Sequence, residues 1–376
     1  MTRTADAIVI GGGLHGCSTA LHLALRGLEP LVIEKDYAGR HASGVNAGGV
    51  RQLARNLAEV PLAVASMELW ERIEDLVGDS CGFETHGQVL VAESEEELGK
   101  LKARVDDLRL RGFTHEELID RTELKRLLPA VADHCPGGVV SRRDGAADPF
   151  RTTQAFRRQA IARGATVAEG VRVTGLKRRG ATWHVATDQG EYQAPVVVNA
   201  AGAWAGRIAA MVGEQVPLEV IAPMLMITAR LPRFIDPVVI LRGRKLSFKQ
   251  LANGTVVIGG GHLAKPYPDE NATVLDWGRL AISARTVWEL FPVMRSTTIV
   301  RAWAGIEARM PDEIPVIGKS DVAEGLFHQF GFSAHGFQLG PGVGALMADL
   351  VVTGATNLPI EPFRVGRFAG AADAGS

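Results

Sequence analysis

The 376-residue chain has only three cysteines and three tyrosines, and its formal charge of −1 leaves almost no surplus of either sign. Cys17, Cys81 and Cys135 are too few for a disulfide framework, and none stands in a CxxC or in a Cys/His pair at metal-ligand spacing. A disulfide-stapled secreted fold and a cysteine-built metal site are excluded, and a reducing compartment is expected. Lys+Arg total 41 against 42 Asp+Glu. No basic surplus or stripe is available for a phosphate backbone, which removes nucleic acid as the main partner. No stretch reaches the roughly 18 apolar residues of a membrane helix. Met1–Ala7 holds one arginine, with neither a basic n-region nor a cleavage site. A cytoplasmic protein without an integral membrane segment is the expectation.

What is plentiful is glycine, 43 residues, with no G-X-Y period. A surplus of that kind needs a backbone reason, either tight turns or places where the chain must approach something closely. A hydrophobic fraction of 46% with 22% charge is that of an ordinary globular chain. The length suits two domains, or one large α/β domain with an inserted piece.

Ala7-Ile8-Val9-Ile10 reads as a parallel strand buried on both faces. A glycine turn, a helical pattern Cys17–Arg26 and a second buried strand Leu31-Val32-Ile33 follow, closed by Glu34. Helical patterns recur at Leu62–Val77, Glu95–Arg111, after Asp120, and at Thr153–Arg163. Short strands are expected from Val167 to Glu191 and at Val196–Val198. From about Gln215 to Val300 the texture alternates apolar and polar, with a hairpin signal at Ala252-Asn253-Gly254-Thr255, predicting an antiparallel sheet. Apolar strand and glycine-rich helix return at Leu326–Gly331 and Gly340–Thr353. The predicted organisation is one domain in three pieces, 1–85, 145–214 and 300–368, interrupted by a second, 86–144 and 215–299. A small, polar tail at 369–376 is expected to be disordered.

Gly11, Gly13 and Gly16 form a G-x-G-x-x-G between strand and helix. The first glycine permits the turn, the second admits a pyrophosphate, and the third lets helix and strand pack closely. The helix N-terminus favours the phosphate charge. Glu34, at the end of the next strand, stands where an acid accepts from ribose hydroxyls. This unit by itself leaves NAD and FAD open.

Four further blocks carry a resemblance. They are Ala42-Ser43-Gly44-Val45-Asn46-Ala47-Gly48-Gly49-Val50-Arg51; Val197-Val198-Asn199-Ala200-Ala201-Gly202-Ala203-Trp204; Ala302-Trp303-Ala304-Gly305-Ile306 with Pro311–Gly318; and Gly331-Phe332-Ser333-Ala334-His335-Gly336-Phe337. In these, over nearly its whole length, the chain resembles the D-amino-acid-oxidase-like family of FAD-dependent amine oxidoreductases. That family includes glycine oxidase, sarcosine oxidase, and the beta subunits of opine and hydroxyproline oxidoreductases. The resemblance implies an α/β fold: a GR2-type Rossmann-like FAD-binding domain plus an antiparallel-sheet (α+β) substrate domain. It implies non-covalent FAD, with Gly11, Gly13, Leu14, His15 and Gly16 at the pyrophosphate and Glu34 and Lys35 at the adenosine ribose. His41, Ala42, Ser43, Asn46, Ala47, Gly48 and Gly49 would lie by pyrophosphate and flavin, and Val173 by the adenine. Ala201, Gly202 and Trp204 would lie near the phosphates; Gly305, Gly331, His335, Gly336, Phe337 and Gln338 would surround the flavin. His41 also resembles, loosely, a covalent attachment site in dimethylglycine dehydrogenases.

On the substrate side, an arginine fork suits an amino acid's carboxylate. Arg51 is the candidate, following the flavin-contacting loop where sarcosine-oxidase-like members carry such an arginine. Glu307 occupies the place of the arginine in the glycine-oxidase pattern Trp-Ala-Gly-Leu-Arg-Pro, with Arg309 two residues on. A carboxylate there would favour a substrate with a second, cationic group, such as an opine. His262, after Gly259-Gly260-Gly261, and His335 complete the catalytic candidates. Ile258 stands where sarcosine oxidases place an oxygen-activating lysine, which leans toward a dehydrogenase passing electrons to partner subunits rather than to O2. The expected activity is oxidation of an amino acid C–N bond by hydride transfer to FAD, followed by imine hydrolysis. The rivals are an NAD-dependent dehydrogenase and a flavin-bearing electron-relay subunit without its own substrate site.

Overall fold

A computed structural model describes residues 3–368; the expected tail, 369–376, lies outside the described residues. The all-apolar run Ala7–Ile10 is buried along its whole length in the middle of a six-stranded sheet. The strand order is Val316–Lys319, Leu326–Phe330, Val196–Asn199, Ala7–Ile10, Pro30–Glu34, Thr166–Glu169. All neighbours are parallel except the first two, which form an antiparallel edge pair. The helices Leu14–Ala24, Pro149–Ala162 and Gly340–Thr353 cover one face, burying Leu14, Leu21, Phe156, Val343 and Met347 against Val9 and Val32. On the other face Ile8, Ile10, Leu31 and Ile33 meet Trp183 and Val185 of a four-stranded sheet, so the central strands are apolar on both sides.

The second large sheet has eight strands in the order Ile299–Ala304, Met224–Thr228, Val256–Gly259, Ser247–Gln250, Val238–Leu241, Gln88–Ala92, Gly137–Ser141, Glu117–Asp120. One face packs Val89, Met226, Phe248 and Ile258 against a helix, Trp277–Leu290. The other face, with Gln88, Leu90, Ile240 and Ser247, looks into a cavity toward the glycine turn. The expected hairpin is present: Leu251 N–H donates to Thr255 O at 2.8 Å, and Gly254 takes a φ of 88°.

The structure refines four expectations. The sheet is antiparallel as expected except at one pair: Val238–Leu241 pairs parallel with Gln88–Ala92, strands from two separate passes of the chain. The segment 215–300 also contains the helix Trp277–Leu290. Asp276 caps it by accepting from Arg279 N–H, and Leu280, Ala284, Val287 and Leu290 bury at three- and four-residue spacing. The helical pattern expected over Leu62–Val77 is two helices, Val60–Trp70 and Ile73–Val77. The strand Ile299–Ala304 runs across the boundary expected at 300 and belongs with the eight-stranded sheet.

Candidate active site

The glycine turn is dictated by close approach. Gly11 has a φ of +112°, and a Cβ there would lie 2.4 Å from the Ala200 carbonyl oxygen. A Cβ on Gly16 would meet Gly11 O at 1.9 Å, so this third glycine serves helix packing and does not itself reach the cavity. Beside Gly13, Ser43 Oγ accepts from Leu14 N–H at 2.9 Å. Glu34 braces the turn: Oε2 accepts from Gly12 N–H at 2.7 Å and Oε1 from Asp36 N–H at 2.9 Å. Burial pushes its carboxyl upward, and its side chain stays in the cavity wall.

That wall encloses about 870 Å³ between the two sheets. At one end stand Val173, Ala201, Gly202 and Trp204. The Lys35 ammonium sits 4.0 Å from the Trp204 ring centroid and donates to Asn271 Oδ1 at 2.7 Å. His41 Nε2 lies 3.0 Å from Asp36 Oδ2, and burial lowers its pKa to about 4. Ala42, Ser43, Asn46, Ala47, Gly48 and Gly49 line the middle. Asn46 Oδ1 accepts from Gly48 N–H at 2.7 Å, while a Cβ on Gly48, at φ +71°, would meet Ala147 O at 2.1 Å. Leu14, His15, Gly305, Gly331, Gly336 and Phe337 close the floor. His15 stacks on Phe332 at 3.7 Å; its buried Nε2 has no partner among the described residues, and burial takes its pKa to about 3.

At the other end is Arg51. Its loop is gripped by two buried carboxylates: Asp144 accepts from Gln52 N–H and Leu53 N–H, each at 2.9 Å, and Glu116 accepts from Ala54 N–H at 2.8 Å. Ala54 is left-handed, with a φ of 58°. The Arg51 guanidinium lines the cavity and donates only to Leu53 O, at 2.6 Å, so most of its fork is unspent among the described residues. Glu307 also lines the cavity; Oε1 accepts from Ala334 N–H at 2.8 Å, and burial pushes its pKa to about 7. Ser333 and Ala334 are both left-handed, at φ 53° and 66°, and the turn they make presents His335 to the cavity.

Besides Gly16, three candidates fall elsewhere. The Arg309 fork is taken by Glu219, at 3.0 and 2.5 Å, outside the cavity wall. His262 follows the cavity-lining Gly260 and Gly261 but does not itself line the cavity; its carbonyl holds Met224 N–H. Gln338 is fully buried, its amide spent on Ala63 O and Arg55, so it supports the floor rather than facing a ligand. The lean drawn from Ile258 also falls, since that side chain points into the apolar core with Phe248. A lysine does approach the cavity loop, from the neighbouring strand: Lys249 Nζ would lie 3.1 Å from a Gly48 Cβ. Lys249, Arg55, Glu59, Asp144 and Glu116 were not singled out by sequence. Only the clustering of charge in Arg51–Glu59 hinted at any of them.

The arrangement defines a dinucleotide-binding oxidoreductase fold with a substrate sheet over the cofactor. Backbone freed of Cβ atoms at Gly11, a helix N-terminus and an orphaned His15 nitrogen on one wall fit an extended dinucleotide. The chain belongs to the FAD dependent oxidoreductase family, whose match covers residues 6–350. Its cofactor is FAD, which retires the NAD alternative. Mouse mitochondrial sarcosine dehydrogenase (Mus musculus) is 29% identical over 98% of this chain; the chain spans 42% of that relative's length. Sarcosine oxidase subunit beta of Rhizobium meliloti (strain 1021) is 27% identical, over 96% of this chain and 88% of its own. L-proline dehydrogenase of P. horikoshii superposes with a TM-score of 0.92 at 30% identity, covering 99% of each chain. Glycine oxidase of Geobacillus kaustophilus shares the fold, with a TM-score of 0.88 at 23% identity over 97% and 99% of the two chains. No helix among the described residues is long and apolar enough to cross a membrane.

Proposed function

We propose that this chain oxidises the C–N bond of a primary or secondary amino acid to an imine, which water then hydrolyses. The observation that carries this reading is Arg51: a preorganised guanidinium in the cavity wall, its loop pinned by Asp144 and Glu116, its fork largely unspent. Such a group holds a carboxylate by two parallel bonds. FAD held along Gly11–Leu14, Ser43 and Gly48–Gly49 supplies the hydride acceptor. The chain's own residues anchor the carboxylate, brace the dinucleotide turn through Glu34 and close the floor with His15 and Phe337. The named relatives, which act on sarcosine and proline, support an amino acid substrate, and a relative named as a beta subunit supports assembly with partner subunits. The two large sheets support the two-domain division of this reading, with a boundary drawn after residue 304.

Arg51→Lys is the test. It keeps the charge and loses the fork, so the KM for the amino acid, or the concentration that half-reduces the flavin without oxygen, should rise about 10- to 100-fold, corresponding to about 1.5–3 kcal/mol. An unchanged value would remove Arg51 as the anchor.

A further inference from the structure

Behind the cavity floor lies a buried charged group that carboxylate binding does not use. His335 Nε2 sits 3.1 Å from Glu59 Oε1, both side chains nearly sealed from solvent at 12% and 2% exposure. Arg55, also buried, donates to the His335 carbonyl at 2.6 Å, to Gln338 Oε1 at 3.1 Å and to the Arg51 carbonyl at 3.1 Å. One guanidinium therefore ties the backbone of the carboxylate anchor to the backbone of the histidine. Ahead of the histidine, the left-handed pair Ser333–Ala334 is clamped by Glu307 and by Ser333 Oγ, which accepts from Met310 N–H. Strain held this firmly next to a ligand cavity marks a functional position.

An amino acid arrives as an ammonium, and its C–H bond gives up hydride readily only once a nitrogen lone pair is free. Resting on the proposed amino acid oxidation, we infer that His335, oriented by Glu59, takes the proton from the substrate ammonium. The carboxylate of Glu59 only accepts, so Nε2–H donates to it and the neutral ring is left with its lone pair on Nδ1. Nδ1 makes no hydrogen bond among the described residues, and the residue lines the cavity. The step balances: the N–H bond of the ammonium breaks and its proton passes to Nδ1. The α C–H bond then breaks with its electron pair going to FAD, and the nitrogen lone pair forms the C=N bond. The His335 proton is returned to water during turnover. Glu59 and Arg55 are positioning residues.

The charges around the ring suit this role. Glu59, Arg55 and Arg51 face it from one segment, Glu307 faces its turn from the strand Glu307–Arg309, and the neutral His15 packs at Gly336. Burial lowers His335, so the ring is neutral near pH 7, while Glu59 is held below the usual carboxylate range by His335 and Arg55.

The test is anaerobic flavin reduction in the holoenzyme at saturating amino acid across pH 6–10, for wild type, His335→Gln and Glu59→Gln. His335→Gln should be slower by about 100-fold near pH 7. It should approach wild type as pH climbs toward the free ammonium's pKa, where the amine deprotonates unaided. Glu59→Gln, which keeps the shape, should lie between. Imidazole NMR of the substrate-free holoenzyme gives a second readout: Glu59→Gln should lower the His335 titration midpoint by about one unit. Losses equal at every pH, or an unmoved midpoint, would overturn the inference and leave amino acid oxidation standing. Wild-type flavin that no amino acid reduces would overturn both.

Discussion

Replacing Glu307 separates two roles that its position allows. The carboxylate holds Ala334 N–H at 2.8 Å, and that amide belongs to a turn in which two consecutive non-glycine residues are left-handed. Leaving this N–H without its acceptor costs about 1–3 kcal/mol, and each left-handed residue stores about 1–2 kcal/mol of strain. Glu307→Leu removes the bond and frees the strain to relax, an expected loss of about 2–4 kcal/mol from the shaped floor. Since Gly331, Gly336 and Phe337 flank this turn in the cavity wall, the loss should appear as FAD held roughly 30- to 1000-fold more weakly. Glu307→Gln keeps an acceptor and should hold FAD within a few-fold of wild type. Ala334→Gly, which accepts the left-handed conformation without strain, should restore about 1 kcal/mol to the leucine variant. Titration of FAD into apoprotein, read by flavin fluorescence, measures all four. The clamp is refuted if glutamine loses as much as leucine, or if Ala334→Gly restores nothing. Comparing Glu307→Gln on neutral and cationic amino acids also tests the opine-like preference, and equal losses on both would remove it.

Lys249→Met should raise stability near pH 7 by up to about 3 kcal/mol, because burial lowers the lysine to about 8 from 10.5. The folded pKa lies below the unfolded one, so the wild-type deficit is full below pH 8 and shrinks as pH climbs from 8 to 10.5; denaturant melts at pH 7 and 9.5 check the sign. Gly48→Ala, with its Cβ 2.1 Å from Ala147 O at φ +71°, should yield protein that loses FAD on gel filtration. Arg309→Ala breaks only the pair with Glu219 and should leave kcat/KM within about twofold, as expected for an exposed ion pair.

The cofactor end was legible in sequence because its chemistry is local. A strand, three spaced glycines, a helix and an acid lie within one short stretch, and the steric reasons for Gly11 and Gly16 are those the spacing implies. Gly48, Gly202, Gly305 and Gly331, positions that the resemblance singles out, line the cavity wall. What stayed hidden depends on contacts far apart in the chain. Asp144 reaches Gln52 and Leu53 across some 90 residues, and Glu59 reaches His335 across 276. Strand register decided the rest: Ile258 and Lys249 sit on neighbouring strands, and only their pairing shows that the first faces the core and the second the cavity loop. Arg309 was misjudged because its partner, Glu219, belongs to a strand paired with its own. The helix Trp277–Leu290 was missed inside a segment whose alternating texture reads as strand.

On the proposed function, FAD in this cavity takes hydride from an amino acid anchored at Arg51. Its most direct test is the visible spectrum of the purified yellow holoenzyme, mixed without oxygen with a panel of amino acids that includes sarcosine, glycine, proline, hydroxyproline and opines. Bleaching of the flavin band by at least one of them, abolished or much weakened by Arg51→Lys, is the predicted result. A flavin that dithionite bleaches and no member of the panel does would overturn the proposed amino acid oxidation.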